Sequence, residues 1–172
     1  TLNDFGIVTD EDSRLVIDHN KVKRAQETLA AEIRQDFEEE IKKNGVSCVF
    51  FDGRQDETKV MMEWEDGGKQ FPGLMKEEHY SVCQEPGGRY LFHFVPNEST
   101  PEKKHSEVLA DHIVEWLVER GQDKILQAIG GDSTNVNTGW SGGAMHWVEV
   151  KLGRNLVWIV CDLHTGELSL RK

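Results

Sequence analysis

Two acids stand where apolar runs give way to polar ones: Asp52 closes "VSCVFFD" and Asp132 closes "KILQAIGGD". Short runs of this kind, rich in β-branched and aromatic residues, read as strands buried on both faces. Should a right-handed crossover lay the second strand on the open edge of the first, the strand spacing of about 4.8 Å sets the two carboxylates side by side. They repel unless something positive sits between them. Hard carboxylate oxygens suit Mg²⁺ or Mn²⁺, and two such ions roughly 3.5–4 Å apart activate a water and stabilise a leaving oxygen in phosphoryl transfer. A third carboxylate usually completes such a site. The plainer reading of Asp132 is local, because an aspartate followed by Ser-Thr-Asn often hydrogen-bonds the backbone of its own turn.

Other residues offer weaker chemistry. Cys161-x-x-His164 is half of a zinc site, but no second Cys or His pair is present to complete tetrahedral ligation. The glycines of "GGDSTNVNTGWSGG" lack the Gly-Lys-Ser/Thr ending of a phosphate-binding loop. Trp140, between Gly139 and Ser141 in a polar loop, is a candidate DNA contact through base stacking, whereas Trp147 and Trp158 fall in an apolar helix and strand and read as core. His19, His79, His93, His105, His112 and His146 show no metal-ligand spacing; His93 alternates with Phe92 and Phe94 as a strand-face residue does.

The elements that must position the two acids follow from periodicity. Val22, Ala25, Leu29, Ala30, Ile33 and Phe37 recur at three- and four-residue steps and predict a helix over Lys21 to Lys43, stopped by Asn44-Gly45. After the strand ending at Asp52, "TKVMMEWEDGG" alternates and reads as a second strand, paired through a turn around Gln55 to Glu57. "KQFPGLMKE" reads as a loop, and "HYSVCQE" and "RYLFHFV" as strands split by Pro86-Gly87-Gly88. Thr100 as N-cap and Pro101 at the first position open a helix carrying Val108, Leu109, Ile113, Trp116 and Leu117. "KILQAI" is then a strand, Gly142 to Leu152 a short helix stopped by Gly153, and "LVWIVCDLH" another buried strand. Meander strands followed by strand-helix-strand units predict an α/β fold whose mixed sheet joins an antiparallel half to a parallel half, flanked by helices.

Composition narrows the function classes. At 172 residues the chain is the size of about one domain, with 37 % hydrophobic and 30 % charged residues. A net charge of −11 argues against a surface that coats nucleic acid, so DNA contact needs metal ions or another domain. No apolar run approaches the ~20 residues of a membrane helix. Three cysteines, Cys48, Cys83 and Cys161, are odd in number and read as reduced thiols of an intracellular protein. The ending "LHTGELSLRK" reads as the start of a helix, as expected of one part of a longer polypeptide.

The ordered set "FFDGRQDETKV", "FHFVPNESTPEKKHSEVLADHIVEWL", "AIGGDSTNVNTGWSGGAMHWVE" and "WIVCDLHTGELSLR" resembles the ribonuclease-H-like core of hAT-type DNA transposases and proteins derived from them. The resemblance covers 46–172, implied as a partial core that lacks the helical insertion and last catalytic helix; residues 1–45, a polar lead and amphipathic helix, lie outside it. It implies Asp52 and Asp132 as catalytic, Mg²⁺- or Mn²⁺-binding acids, with Cys161 and His164 as a mainly structural motif near substrate phosphate. It also implies a nuclear location, DNA as partner in the intact polypeptide, and metal-dependent phosphodiester cleavage and strand transfer. A non-catalytic module that binds a protein partner is the alternative. Two departures bear on activity. The family's third acid, a glutamate, lies beyond an insertion that this sequence does not reach, Glu167 being at a different place. Gly53-Arg54 follows Asp52 where the family commonly has Trp-Thr/Ser.

Overall fold

The computed structural model describes residues 19–63, 68, 70–96 and 103–161. The chain divides into two compact units, Thr1–Asn44 and Gly45–Lys172. In the first, α1 (His19–Asn44) carries Lys42 and Lys43 in its last turn, where positive charge complements the helix dipole. Of its apolar stripe, Val22, Leu29 and Ile33 are exposed, and Ile41 is the buried residue.

The second unit runs β1 (Cys48–Glu63), β2 (Gln70–Gln84), β3 (Arg89–Phe94), α2 (His105–Glu119), β4 (Ala128–Gly131), α3 (Asn135–Thr138), α4 (Ala144–Leu152) and β5 (Val157–Val160). The strands form one sheet in the order β3-β2-β1-β4-β5. β1, β2 and β3 pair antiparallel, whereas β4 pairs parallel to both β1 and β5. This is an α/β arrangement with a mixed sheet and flanking helices, as the order of meander and crossover segments implies. Its core joins Val49 and Phe51 of β1, Val82 of β2 and Ile129 of β4 to Leu109, Ile113 and Leu117 of α2 and Met145 and Val148 of α4, all fully buried. Phe92 stacks on Trp116 at 4.8 Å and Phe94 on His112 at 4.6 Å, which seats α2 on the meander half of the sheet. Lys151 of α4 reaches Asp111 at 2.7 Å and Glu107 at 3.6 Å, tying the two helices together.

Five local expectations are corrected. β5 is not a buried strand: it is the outer strand of the sheet, and Val157, Ile159 and Val160 are exposed. β1 does not turn at Gln55 to Glu57: it continues to Glu63, paired with β2 from Val49↔Gln84 to Glu63↔Gln70. The polar run from Gly53 to Glu57 is exposed, so its side chains stay hydrated while β2 satisfies the ladder. Asp52 therefore stands inside a strand, at the point where burial ends rather than where the strand ends. "KQFPGLMKE" belongs to β2 instead of a loop; Pro72, opposite Met61, lies past the last β3 partner, so its missing N–H deprives no third strand. The strand after α2 begins at Ala128, with Asp123 to Ile125 in a turn and Gly130 and Gly131 inside the ladder. A Cβ on Gly130 would meet the Phe50 ring and stand 2.9 Å from the Ile159 carbonyl, so the glycine marks close strand approach, not a loop. Finally, α2 starts at His105 behind Lys104, whose carbonyl accepts from Glu107 N and Val108 N; Thr100 and Pro101 lie outside the described residues.

Candidate functional site at the end of the parallel strands

In the parallel half of the sheet Phe51 pairs with Gly131, and Gly131 with Val160. Asp52, Asp132 and Cys161 each follow one of these by one residue, so they form a row across three adjacent strands. The row continues the ladder, because Cys161 N donates to Gly131 O at 3.0 Å. Cys161 is a free, partly buried thiol, and His164 lies outside the described residues.

Asp132 is held by the turn that follows it. Its Oδ1 accepts from Thr134 N at 3.3 Å and Thr134 Oγ1 at 2.8 Å, and also from Asn137 Nδ2. All three bonds fall on one oxygen, which leaves Oδ2 to face another partner. Thr134 is the N-cap of α3, and Gly139 N closes back on Asn135 O at 3.0 Å, so one short helical turn fixes the aspartate. The loop then folds tightly onto itself through Gly143 N donating to Gly139 O at 2.7 Å.

Asp132 lines a cleft of about 380 Å³ together with Glu78 and Tyr80 of β2, His105 of α2 and Asn137 of α3; Asp52 is exposed and not among the lining residues. Tyr80 hydroxyl donates to Glu78 Oε1 at 3.0 Å and lies 3.3 Å from His105 Nε2, which itself is 3.2 Å from Glu78 Oε2. The Tyr80 ring is 4 % exposed and stacks on Phe94. Gly53 opposite it leaves the space that the phenol ring fills, since a Cβ there would stand 2.6 Å from the ring. Burial pushes the Tyr80 hydroxyl well above the usual phenol range, and its hydrogen bond to Glu78 and the charges of Glu78, Asp132 and Asp52 push the same way. The folded protein thus keeps this proton to higher pH than the unfolded chain does. Stability from Tyr80 is complete below the ordinary phenol value near 10 and declines as pH rises beyond it. Urea midpoints at pH 9 and pH 11 should fall more for the wild type than for Tyr80→Phe; equal falls would show that the phenol is not the titrating group.

The donor set fits a divalent cation only in part. Asp52 and Asp132 supply two carboxylates, and among the described residues no group of three His, Cys, Asp or Glu side chains is arranged to hold a metal ion. A pair of ions has too few ligands here. Of the tryptophans, Trp140 is 85 % exposed, whereas Trp147 and Trp158 are half-buried. Sequence reasoning missed Glu78, Tyr80 and His105 as neighbours of Asp132. The alternation of Glu78, Tyr80 and Val82 marks one strand face, but only the docking of α2 on β2 and β3 brings His105 to it.

Comparison with known proteins finds no matching family model and no match among curated proteins or solved structures.

Proposed function

We propose that the unit from Gly45 onward is a ribonuclease-H-like domain of the hAT transposase type, serving metal-dependent DNA phosphodiester cleavage and strand transfer within an intact nuclear polypeptide, and inactive as residues 1–172 alone. The row of Asp52, Asp132 and Cys161 on adjacent parallel strands of a β3-β2-β1-β4-β5 sheet carries this reading. Asp52 and Oδ2 of Asp132 would hold one Mg²⁺ or Mn²⁺, which supplies Lewis-acid chemistry when bound. Thr134 and Asn137 keep Asp132 in place for that task, and the exposed Trp140 offers a ring to an unpaired base.

An ion with two protein ligands keeps most of its waters and binds weakly, with a dissociation constant on the order of 10⁻³ M. Mn²⁺ titration should broaden the amide resonances of residues 51–53, 131–134 and 160–161, and Asp132→Asn and Asp52→Asn should each abolish the effect. A second reading, a non-catalytic module that binds a protein partner, draws on the three hydrogen bonds that commit Oδ1 of Asp132 to its turn. Broadening that is unchanged in Asp132→Asn would favour that second reading and remove the first.

A further inference from the structure

We infer that the outer edge of β1, from Lys59 to Glu63, pairs antiparallel with the same segment of a second copy of this chain. β4 covers that edge only over Cys48–Phe51, and β3 accompanies β2 only over Tyr80–Gln84. From Arg54 to Glu63 β1 therefore runs on with β2 as a two-stranded ribbon, and no third strand joins it among the described residues. Two strands alone are marginally stable in water, and an open edge keeps a row of N–H and C=O groups ready for a further strand. The ribbon's two edges differ in their protection. Pro72 removes a donor from β2, a common guard of exposed edges, whereas β1 contains no proline. The ribbon also shows apolar side chains to water, Met61 being 61 % and Leu74 62 % exposed, with Met62 and Met75 exposed as well.

That the occupant is a second copy follows from the residues on this edge. A two-fold axis normal to the sheet keeps each face on its own side, so only registers that oppose residues of the same face are open. With Met61 on the axis, it meets its own counterpart, Met62 stands opposite Val60 of the other copy twice, and Glu63 opposite Lys59 twice. Directly opposed side chains stand about 5 Å apart, near enough for apolar contact and for ion pairs. Across the ribbon Phe71 lies opposite Met62, so an apolar row runs from Phe71 and Met62 of one copy to Val60 of the other. Other registers fail on charge or on burial. An axis at Lys59 sets Lys59 against itself, one at Val60 opposes Glu57 to Glu63, and one at Met62 puts Met61 against Glu63. An axis at Thr58 opposes Asp56 to Val60. The apolar match and the charge match thus come from one short segment read against itself. Such self-complementarity is what an isologous interface requires, and an unrelated strand has no reason to share it. The charge of −11 on each copy opposes association, which keeps the pairing weak.

Sedimentation equilibrium of the whole chain tests this edge. The expected result is a reversible dimer with a dissociation constant on the order of 10⁻⁵ to 10⁻⁴ M, as befits a small interface between acidic copies. Lys59→Glu and Glu63→Lys each set like charges against one another at both ends of the segment, and each should weaken the dimer at least about tenfold. The double variant exchanges the two charges and should restore it, as should an equimolar mixture of the single variants. Met61→Cys, on the axis, should link to its own counterpart on mild oxidation, since directly paired Cα atoms lie within disulfide range. Digestion and mass spectrometry distinguish that link from any made by the free Cys48, Cys83 and Cys161. A chain that stays monomeric up to about ten times the expected dissociation constant overturns the inference. So does a dimer that persists unchanged in the single variants, or one that the double variant and the mixture both fail to recover. Because Met61 lies about 30 Å along β1 from Asp52, these results do not depend on the proposed cleavage chemistry.

Discussion

Gly143→Ala is expected to lower the unfolding free energy by about 2–3 kcal/mol, the range of a side chain forced into a packed site. The new Cβ would stand 2.7 Å from Asn137 O and 2.8 Å from Gly139 O, and closer still to Gly139 N. These are backbone atoms of the loop that carries Asn137, so no rotamer change relieves the clash. The loop must open, and Asn137 then loses its hold on Asp132. The control is one residue away. At Gly142 an added Cβ meets only Lys104 Nζ, at 3.8 Å, an ordinary contact at the end of a flexible chain. Gly142→Ala should therefore leave the urea midpoint within about 0.5 kcal/mol of wild type, as surface substitutions do. Faster amide exchange over residues 134–143 in Gly143→Ala alone would locate the damage. Equal behaviour of the two variants would mean that the loop is not closed as tightly as its hydrogen bonds indicate.

This loop shows where the sequence was informative and where it was silent. The apolar runs before Asp52 and Asp132 made a parallel pair an expectation conditional on a right-handed crossover, because strands buried on both faces leave few alternatives to a central position, and Cys48–Phe51 does pair parallel with Ala128–Gly131. The strong stripe of α2 likewise located the helix, and Gly153, in the left-handed region at φ +67°, ended α4 where the pattern stops. Boundaries set by tertiary context were less legible. Nothing local says that the polar stretch from Gly53 to Glu57 stays extended; that depends on β2 lying alongside to take its backbone hydrogen bonds. Once β1 is read as continuous, "KQFPGLMKE" must become strand as well, since it is the matching length of the partner. Pro72 argued against this, and only its place beyond β3 removes the objection.

The site divides in the same way. The Asp52–Asp132–Cys161 row follows from strand order and register, both of which apolar patterning constrains. The cleft depends on His105 from one helix meeting Glu78 and Tyr80 from a strand, a pairing separated by 25 residues of chain for Tyr80 and His105. Residue type and spacing carry little information about such a meeting. His105 and His112 both lie against aromatic residues of the sheet, Tyr80 and Phe94.

Residues 1–172 should show no Mg²⁺- or Mn²⁺-dependent cleavage or strand transfer above background, on duplex or hairpin DNA. Two-metal phosphoryl transfer requires both ions and the attacking water in register, and a displacement of about 1 Å can cost ~100-fold in rate. Asp52 and Asp132 follow the paired residues Phe51 and Gly131 of adjacent strands, no group of three metal-ligating side chains is found among the described residues, and the two acids are not equivalent. Asp132 is oriented by Thr134 and Asn137, whereas Asp52 shares its strand face with Ser81, the opposite face from Phe51 and Gly53, which pair with Val82 and Tyr80. One acid is therefore fixed and the other exposed, a poor frame for an ion that tolerates little deviation from octahedral geometry. Electrostatics add a second obstacle. The cleft beside Asp132 has no lysine or arginine among its lining residues, and the chain's charge of −11 repels a phosphate backbone that most DNA-binding surfaces neutralise. Cleavage that depends on metal and disappears in both Asp52→Asn and Asp132→Asn would refute the expectation. It would require a third ligand within residues 1–172, and the first to replace would be Glu167, followed by Glu78.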